Sequence, residues 1–301
     1  MFALNILGSN SALPAHGRNP TAQVLQTQEN NFLIDCGEGT QIQLSKYKIK
    51  TSKISHIFIS HLHGDHYFGL IGLLSSMSLL NRNQDIHIYG PTMLEEIIML
   101  QCRASHSEFS FKIHFHELGE NGKIAETNKM TISSFKVNHQ IDCWGFLFQE
   151  KKNPRTVLSE KVKSFEIPSS FYEELQKGEN YVTKKGTVIM NDDVTIPNAK
   201  PRTYAYCADT IYNESIVPVI KDVDLLYHET TYLKDQEDKA AARFHSTTIQ
   251  AATIAKMANV NRLIIGHYSS KYENIDQFLD ESKSVFENTI LAIEGACYYI
   301  R

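Results

Sequence analysis
Cysteine is sparse and poorly placed for structural chemistry. The five cysteines, Cys36, Cys102, Cys143, Cys207 and Cys297, are scattered across 301 residues without a Cys-x-x-Cys pair. That argues against a disulfide frame or a zinc ribbon and reads as reduced thiols. Surplus positive charge is also missing. Thirty Lys and Arg stand against 34 Asp and Glu, for a net charge of −4 and a pI of about 6.4. A protein coated in basic surface is therefore excluded, and any nucleic-acid contact has to be local. No apolar run is long enough to cross a bilayer. The opening MFALNILGSN lacks a basic stretch and soon reaches Gly and polar residues, so it predicts a first strand, not a signal peptide. Internal repeats and low-complexity segments are absent. The expectation is a cytoplasmic protein with no membrane partner.

What is present suits a sizeable globular core. Hydrophobic residues make up 42% and charged residues 21%, ordinary values for a soluble chain. FALNILG, AQVLQTQ, NFLIDCG, HIFIS, DIHIYG, FKIHFHEL, MTISSFKV and WGFLFQE read as strands. A helix is expected from QIQLSKY, and a buried one from GLIGLLSSMSLL. TMLEEIIMLQCR reads as a helix with Leu94, Ile97, Ile98 and Gln101 on one face. Between residues 151 and 200 core runs are few and Lys/Arg slightly exceed Asp/Glu, which suggests an arm inserted in the core. TYAYCADT, DLLYHET and NRLIIGH are strand-like again. Thr247 with Gln250 three residues on is a capping box that opens a helix. Strands dominate both halves, so two sheets covered by helices fit better than a regular βαβ alternation.

The polar residues follow a positional pattern. HIFIS runs into His61, His63, Asp65 and His66. ISSFKVN ends at His139, TYAYCA at Asp209 and RLIIG at His267. Each apolar strand delivers a His or Asp at its C-terminal end, where α/β folds commonly build sites. Five imidazoles and two carboxylates without cysteine suit Zn2+, and Mn2+ or Fe2+ less specifically. Seven donors exceed one closed structural site and match two ions sharing a carboxylate. Taken singly, His139, His267 or Asp209 reads as an ordinary structural residue, and it is HLHGDH that binds them into one argument. His114 and His116 alternate along one strand face and need no site to explain them, and His87 reads likewise. His16 and His106 are loop residues without an evident partner.

HLHGDH matches the H-x-H-x-D-H signature of the metallo-β-lactamase superfamily. With NFLIDCGEGTQIQL, VNHQIDCWGF, ADT, HETT, FHSTTIQAA and GHYSSKY in order, nearly the whole chain resembles the short-form tRNase Z (ribonuclease Z) family. The resemblance implies a four-layer αββα metallo-β-lactamase sandwich as a single domain over 1–301. It implies a homodimer, with residues 151–200 as an arm that grips tRNA. It implies two zinc ions per subunit: His61, His63 and His139 on one, Asp65, His66 and His267 on the other, and Asp209 between them. Asp65 would also orient and deprotonate the attacking water. His245, paired with Glu229, would serve the leaving group. The implied activity is endonucleolytic removal of 3′ trailers from precursor tRNA, leaving a 3′-hydroxyl on the tRNA and a 5′-phosphate on the trailer.

Two departures stand out. Lys271 occupies a position where the family commonly carries Arg, so it would contact phosphate without the bidentate fork. The arm reads IPSSFYEELQKGE and lacks the family's Gly-Pro motif. Two other readings compete: a metallo-hydrolase of small molecules, phosphodiesterase or arylsulfatase-like, and an RNA-binding scaffold with structural metals. The arm and the HETT…FHSTT pair favour the RNA enzyme over the first. The undamaged set of seven donors disfavours the second.

Overall fold
The computed structural model describes residues 1–301, which form two compact units: Met1–Gln149 with Arg202–Arg301, and Glu150–Pro201. The larger unit holds two seven-stranded sheets. Strands β1 (Phe2–Gly8), β2 (Ala22–Thr27), β3 (Asn31–Cys36), β4 (Ile54–Phe58), β5 (Ile86–Gly90) and β6 (Ile113–Glu117) belong to the first. In the second lie β7 (Gly122–Glu126), β8 (Met130–Val137) and β9 (Cys143–Glu150). The smaller unit contributes the two-residue strands β10 (Thr156–Val157), β11 (Tyr181–Val182), β12 (Val188–Ile189) and β13 (Thr195–Ile196). The chain then returns through β14 (Thr203–Cys207), β15 (Leu225–Glu229), β16 (Leu263–Gly266) and β17 (Thr289–Leu291) of the second sheet, and ends in β18 (Cys297–Tyr299), which pairs with β1. The sheet orders are β18-β1-β2-β3-β4-β5-β6 and β17-β16-β15-β14-β9-β8-β7.

Both sheets have a parallel half. β3 to β6 run parallel to one another, as do β14 to β17. Parallel strands need crossover helices, and a face covered by helices must be apolar. The larger unit's buried apolar residues accordingly fall into three layers. Phe32, Phe58, Phe146, Phe148, Tyr204 and Tyr206 fill the space between the sheets. Leu33, Ile57, Leu70, Leu74, Leu94 and Ile98 join the first sheet to helices α3 (Leu70–Leu79) and α4 (Met93–Ala104). Ala252, Ala255, Leu263, Ile265 and Phe278 join the second sheet to α9 (Thr248–Met257) and α10 (Asp276–Lys283). This is the four-layer αββα arrangement. Each fully buried Leu, Ile or Phe contributes roughly 1.5–3 kcal/mol of transfer free energy.

Several local expectations hold and some need correction. The first helix, α1, spans Thr40–Lys46. The capping box is formed, with the Thr247 hydroxyl accepting from the Gln250 backbone and the Gln250 side chain accepting from the Thr247 N–H. On α4 the fully buried stripe is Leu94, Ile98 and Cys102; Gln101 is exposed. Spacing at i, i+4 and i+8 carries the buried stripe to Cys102, one residue past Gln101. α3 is buried only along Leu70, Leu73, Leu74 and Met77, and Leu79 at its end is exposed with Leu80 beyond it. β7 and the last two strands, β17 and β18, had no clear signal in the chain, being short and half polar.

The smaller unit contains α5 (Ser159–Ser164), α6 (Tyr172–Lys177) and α7 (Asn191–Val194) besides its short strands. Core runs are few here, and the apolar residues that meet are spaced singly along the chain. Val162, Ile167, Leu175, Ile189 and Val194 close a small apolar centre. Asn191 donates from its side chain to the Leu175 and Glu179 carbonyls, so its buried amide is satisfied.

Candidate metal centre and the adjoining His245–Glu229 pair
All the candidate donors sit just beyond strand ends. β4 ends at Phe58, and the chain passes through Ile59 and Ser60 to His61. The one-turn helix α2 (Gly64–Tyr67) then presents Asp65 and His66. His139 follows β8, Asp209 follows β14, Glu229 closes β15, and His267 follows β16. His267 has a φ of 63° and Asp35, on β3, a φ of 54°. Such left-handed values are strained for these residues and are found where surrounding structure enforces them. Glycine lets the loops pack this closely, since a Cβ at Gly37 would lie 2.4 Å from the Asp65 carbonyl oxygen.

The donors converge on two points. His63 Nδ1 lies 3.1 Å from His61 Nε2 and 3.1 Å from His139 Nε2. Asp209 Oδ2 lies 3.7 Å from His61 Nε2 and 3.9 Å from His139 Nε2. On its other side, Asp209 Oδ1 lies 3.4 Å from His66 Nε2 and 3.3 Å from His267 Nε2. Those two nitrogens are 3.2 Å apart, and Asp65 Oδ2 is 3.6 and 3.4 Å from them. Four N/O ligands at about 2.0–2.1 Å from a tetrahedral ion stand about 3.3 Å from one another. The separations quoted run from 3.1 to 3.9 Å in the first quartet and from 3.2 to 3.6 Å in the second, so the second matches that spacing closely and the first more loosely. Asp209 Oδ1 is fully buried and receives no hydrogen bond. A buried carboxylate oxygen without a donor is costly unless a cation satisfies it. The donor set therefore fits divalent metal binding.

Outer contacts orient the rings. His66 Nδ1 lies 2.7 Å from Asp35 Oδ2, and Asp35 also accepts from the Ser60 N–H, the Ser60 hydroxyl and the Tyr206 hydroxyl. His139 Nδ1 donates to the Phe244 carbonyl at 2.8 Å, and His267 Nδ1 meets the Thr231 hydroxyl at 2.9 Å. Each contact leaves Nε2 of its ring aimed at the centre. Burial, with His66 next, lowers the basicity of His61 well below the ordinary imidazole range. For His66 burial acts the same way but is outweighed by Asp209, Asp65 and Asp35, which raise it. Burial opposes the charge of Asp65 and Asp209, yet the surrounding imidazoles hold both carboxyls below the usual carboxylate range.

A second pair adjoins the cluster. His245 Nδ1 is 3.0 Å from Glu229 Oε1, which leaves Nε2 for the cleft. Glu229 is fully buried. It accepts from the Thr210 and Ser246 N–H groups through Oε1, and from the Thr231 N–H and hydroxyl through Oε2. Burial alone would lower His245, but Glu229 outweighs it and pushes the imidazole up to about 9. His63, Asp65, Asp209 and His245 share one cleft with Leu13 and Phe68. Lys271 is exposed, with its ammonium 4.9 Å from the centre of the Tyr272 ring, and it is not part of the cleft wall.

Known proteins with this architecture settle its relationship. A ribonuclease Z of Bacteroides fragilis is 42% identical over 298 residues, 98% of this chain and 98% of the relative. A ribonuclease Z of Cytophaga hutchinsonii is 44% identical over 306 residues, 99% of this chain and 96% of the relative. The chain belongs to the ribonuclease Z family. It also belongs to the family described as anti-Pycsar protein Apyc1, whose model matches residues 2–166, just over half of the chain. That match takes in His61 to His139 and stops short of Asp209, Glu229, His245 and His267, whereas the ribonuclease Z relatives run through all of them. The crystal structure of the human short-form tRNase Z superposes with a TM-score of 0.74 at 28% identity, covering 99% of each chain. A metallo-β-lactamase fold protein of Bacillus subtilis superposes with a TM-score of 0.69 at 19% identity, covering 99% of this chain and 98% of the other, a likeness of fold.

Part of this ribonuclease Z site carries no sequence motif of its own. Asp35, Ser60, Thr231 and the Phe244 carbonyl received no role. Asp35 had a signal, being the one carboxylate in the strand NFLIDC, every position of which is buried. Thr231 and the carbonyl had none, because backbone and hydroxyl contacts leave little trace in composition. His16, read as partnerless, meets the Ser270 carbonyl through Nε2 at 2.9 Å.

Proposed function
We propose that this chain is a metal-dependent endoribonuclease that removes 3′ trailers from precursor tRNA, leaving a 3′-hydroxyl on the tRNA and a 5′-phosphate on the trailer. The observation that carries the reading is the Glu229–His245 pair beside the seven-donor cluster. Structural metal binding has no use for a buried carboxylate that holds an imidazole at the cleft wall. A phosphodiester hydrolase does, because the departing 3′-oxygen must gain a proton.

In this reading His61, His63 and His139 would hold one zinc ion and Asp65, His66 and His267 a second, with Asp209 shared between them. Bound there, the metal supplies a water acidic enough to ionise near neutrality and positive charge for the phosphoryl oxygens. Asp65 would orient the attacking water and take up its proton. His245 delivers a proton to the departing 3′-oxygen, and Glu229 fixes its tautomer and direction. Lys271 contributes a phosphate contact without a bidentate fork. The segment 151–200 grips the tRNA, two copies of the chain form a homodimer, and the protein works in the cytoplasm. No helix is long and apolar enough to cross a membrane.

The test is to incubate the zinc-loaded protein with a precursor tRNA carrying a 3′ trailer and to map the product ends. Asp65→Ala and the diester bis(p-nitrophenyl) phosphate run alongside. A single cut after the last tRNA nucleotide before the trailer, lost in Asp65→Ala, supports the proposal. Hydrolysis of the small diester without RNA cleavage would move the function to small phosphodiesters.

A further inference from the structure
We infer that Phe68 is a stacking platform for a nucleobase flanking the scissile phosphate; the inference rests on the proposed RNA cleavage. Phe68 stands at the end of α2, three residues after Asp65, and its side chain lines the cleft with His63, Asp65, Asp209 and His245. It is 63% exposed and belongs to none of the apolar clusters that build the fold. The four clusters therefore give little reason for a large ring at this point, whereas its place in the cleft beside the donors does.

The ring is held, not loose. A Cβ at Gly64 would fall 2.2 Å from Phe68 Cε2, so the ring occupies space that only glycine leaves open. The Tyr67 ring meets it edge-on, with centroids 5.0 Å apart at 64°. The backbone is pinned on both sides: the Phe68 N–H donates to the Gly64 carbonyl and the Gly69 N–H to the Cys36 carbonyl, each at 2.9 Å. The ring thus rests on the HGDH turn and keeps most of its surface toward solvent and the cleft. A phosphate at the donor cluster brings its two flanking nucleosides to these walls, where Leu13, 50% exposed, adds further apolar surface. Preorganised aromatic rings bind unstacked bases at small entropic cost and with little sequence preference.

A double-mutant cycle between protein and RNA tests this. Cleavage of a trailer-bearing precursor is compared with cleavage of two abasic versions, one at the last tRNA nucleotide and one at the first trailer nucleotide. The expected result is a fall in kcat/KM of about 5- to 100-fold for Phe68→Ala on intact RNA. One abasic substrate should show a similar loss, with no further loss when the two changes are combined. Phe68→Trp restores activity and Phe68→Leu does not. A second readout places 2-aminopurine at the coupled position in the His245→Ala background, which keeps the RNA whole. Its fluorescence should be quenched with Phe68 or Trp present and not with Ala. Zinc content and melting temperature are recorded for each variant. Additive losses at both abasic positions, or Leu performing as well as Trp, would overturn the inference while leaving the cleavage reading intact. Failure of the wild-type protein to cut any precursor overturns both.

Discussion
Two groups of histidines differ in what they can do, one gathered beyond strand ends of both sheets and one laid across strands of the first. His61, His63 and His139 meet with their rings nearly perpendicular, at 74° to 82°. His56, His87, His114 and His116 lie on one face of β4, β5 and β6, where His56 pairs with His87 in register and His87 with His114. There His87 stacks on the other three rings within 13° to 19°, with centroids 4.7 to 5.3 Å away. An imidazole lone pair lies in the plane of its ring. Crossed rings can aim several lone pairs at one point; stacked rings send theirs along parallel planes. The strand group satisfies itself instead. His87 Nδ1 meets His116 Nε2 at 3.0 Å, His56 Nδ1 meets the Ser55 hydroxyl at 2.8 Å, and His114 Nε2 meets Asp85 at 2.8 Å. The regular geometry of a strand lays residues side by side, whereas irregular backbone beyond a strand end can turn them toward a common centre.

The largest effect expected of this contrast is at Asp209, which offers one oxygen to each donor quartet. Asp209→Ala should strip bound metal and lower trailer cleavage by more than about a thousandfold, while His87→Ala retains the full metal content. Metal analysis of both purified variants checks this, and equal metal loss would erase the distinction between the groups. Next comes His245→Ala, expected to lower kcat by about 100- to 10,000-fold with metal content unchanged; a loss of metal would make His245 a ligand instead. Asp35→Asn keeps the shape but weakens the charge behind His66. It should weaken metal affinity by about 10- to 100-fold, read by chelator competition.

The smallest effect concerns the stacked group. Burial, followed by His87 and His116, pushes His56 down to about 4. The folded value is thus below the unfolded value of about 6.5, so protonation favours the unfolded chain. The stability that neutral His56 supports is complete above about pH 6.5 and is lost as pH falls through the window toward 4. His87 and His116 shift in the same direction through burial, while Asp85 on His114 is the nearby acid. His56→Phe, flanked by Phe32 and Phe58, should flatten the acid limb of stability by on the order of 1 kcal/mol at pH 5, allowing for partial exposure. Melting curves at pH 7 and pH 5 would read it, and parallel curves for the two proteins would remove His56 from the account.

Much of the fold was legible because its signals are local. Most of the strands were visible as apolar segments closed by Gly, Asn or Asp, and the Thr247 cap as a four-residue motif. β7, β17 and β18 were not, since short strands with mixed burial depend on their neighbours for pairing. The core between 151 and 200 was missed for a similar reason: its apolar residues are spaced singly and meet only after several turns. At the site, the candidate donors were visible as polar residues at the ends of apolar runs, and Asp35 was visible as a carboxylate in a strand, but its role depends on a ring 31 residues away.

The sequence by itself determined the chemistry available: which strands carry His or Asp at their ends, and the absence of thiols among them. It also determined the helix start at Thr247 and the glycine at position 64. Only the tertiary structure decided which histidines converge. His63 and His139 lie 76 residues apart in the chain, and His66 and His267 lie 201 apart, yet their nitrogens stand 3.1 and 3.2 Å from one another. The physical reason is that parallel strands deliver their C-terminal ends to one edge of each sheet, and packing the two sheets face to face brings those edges together.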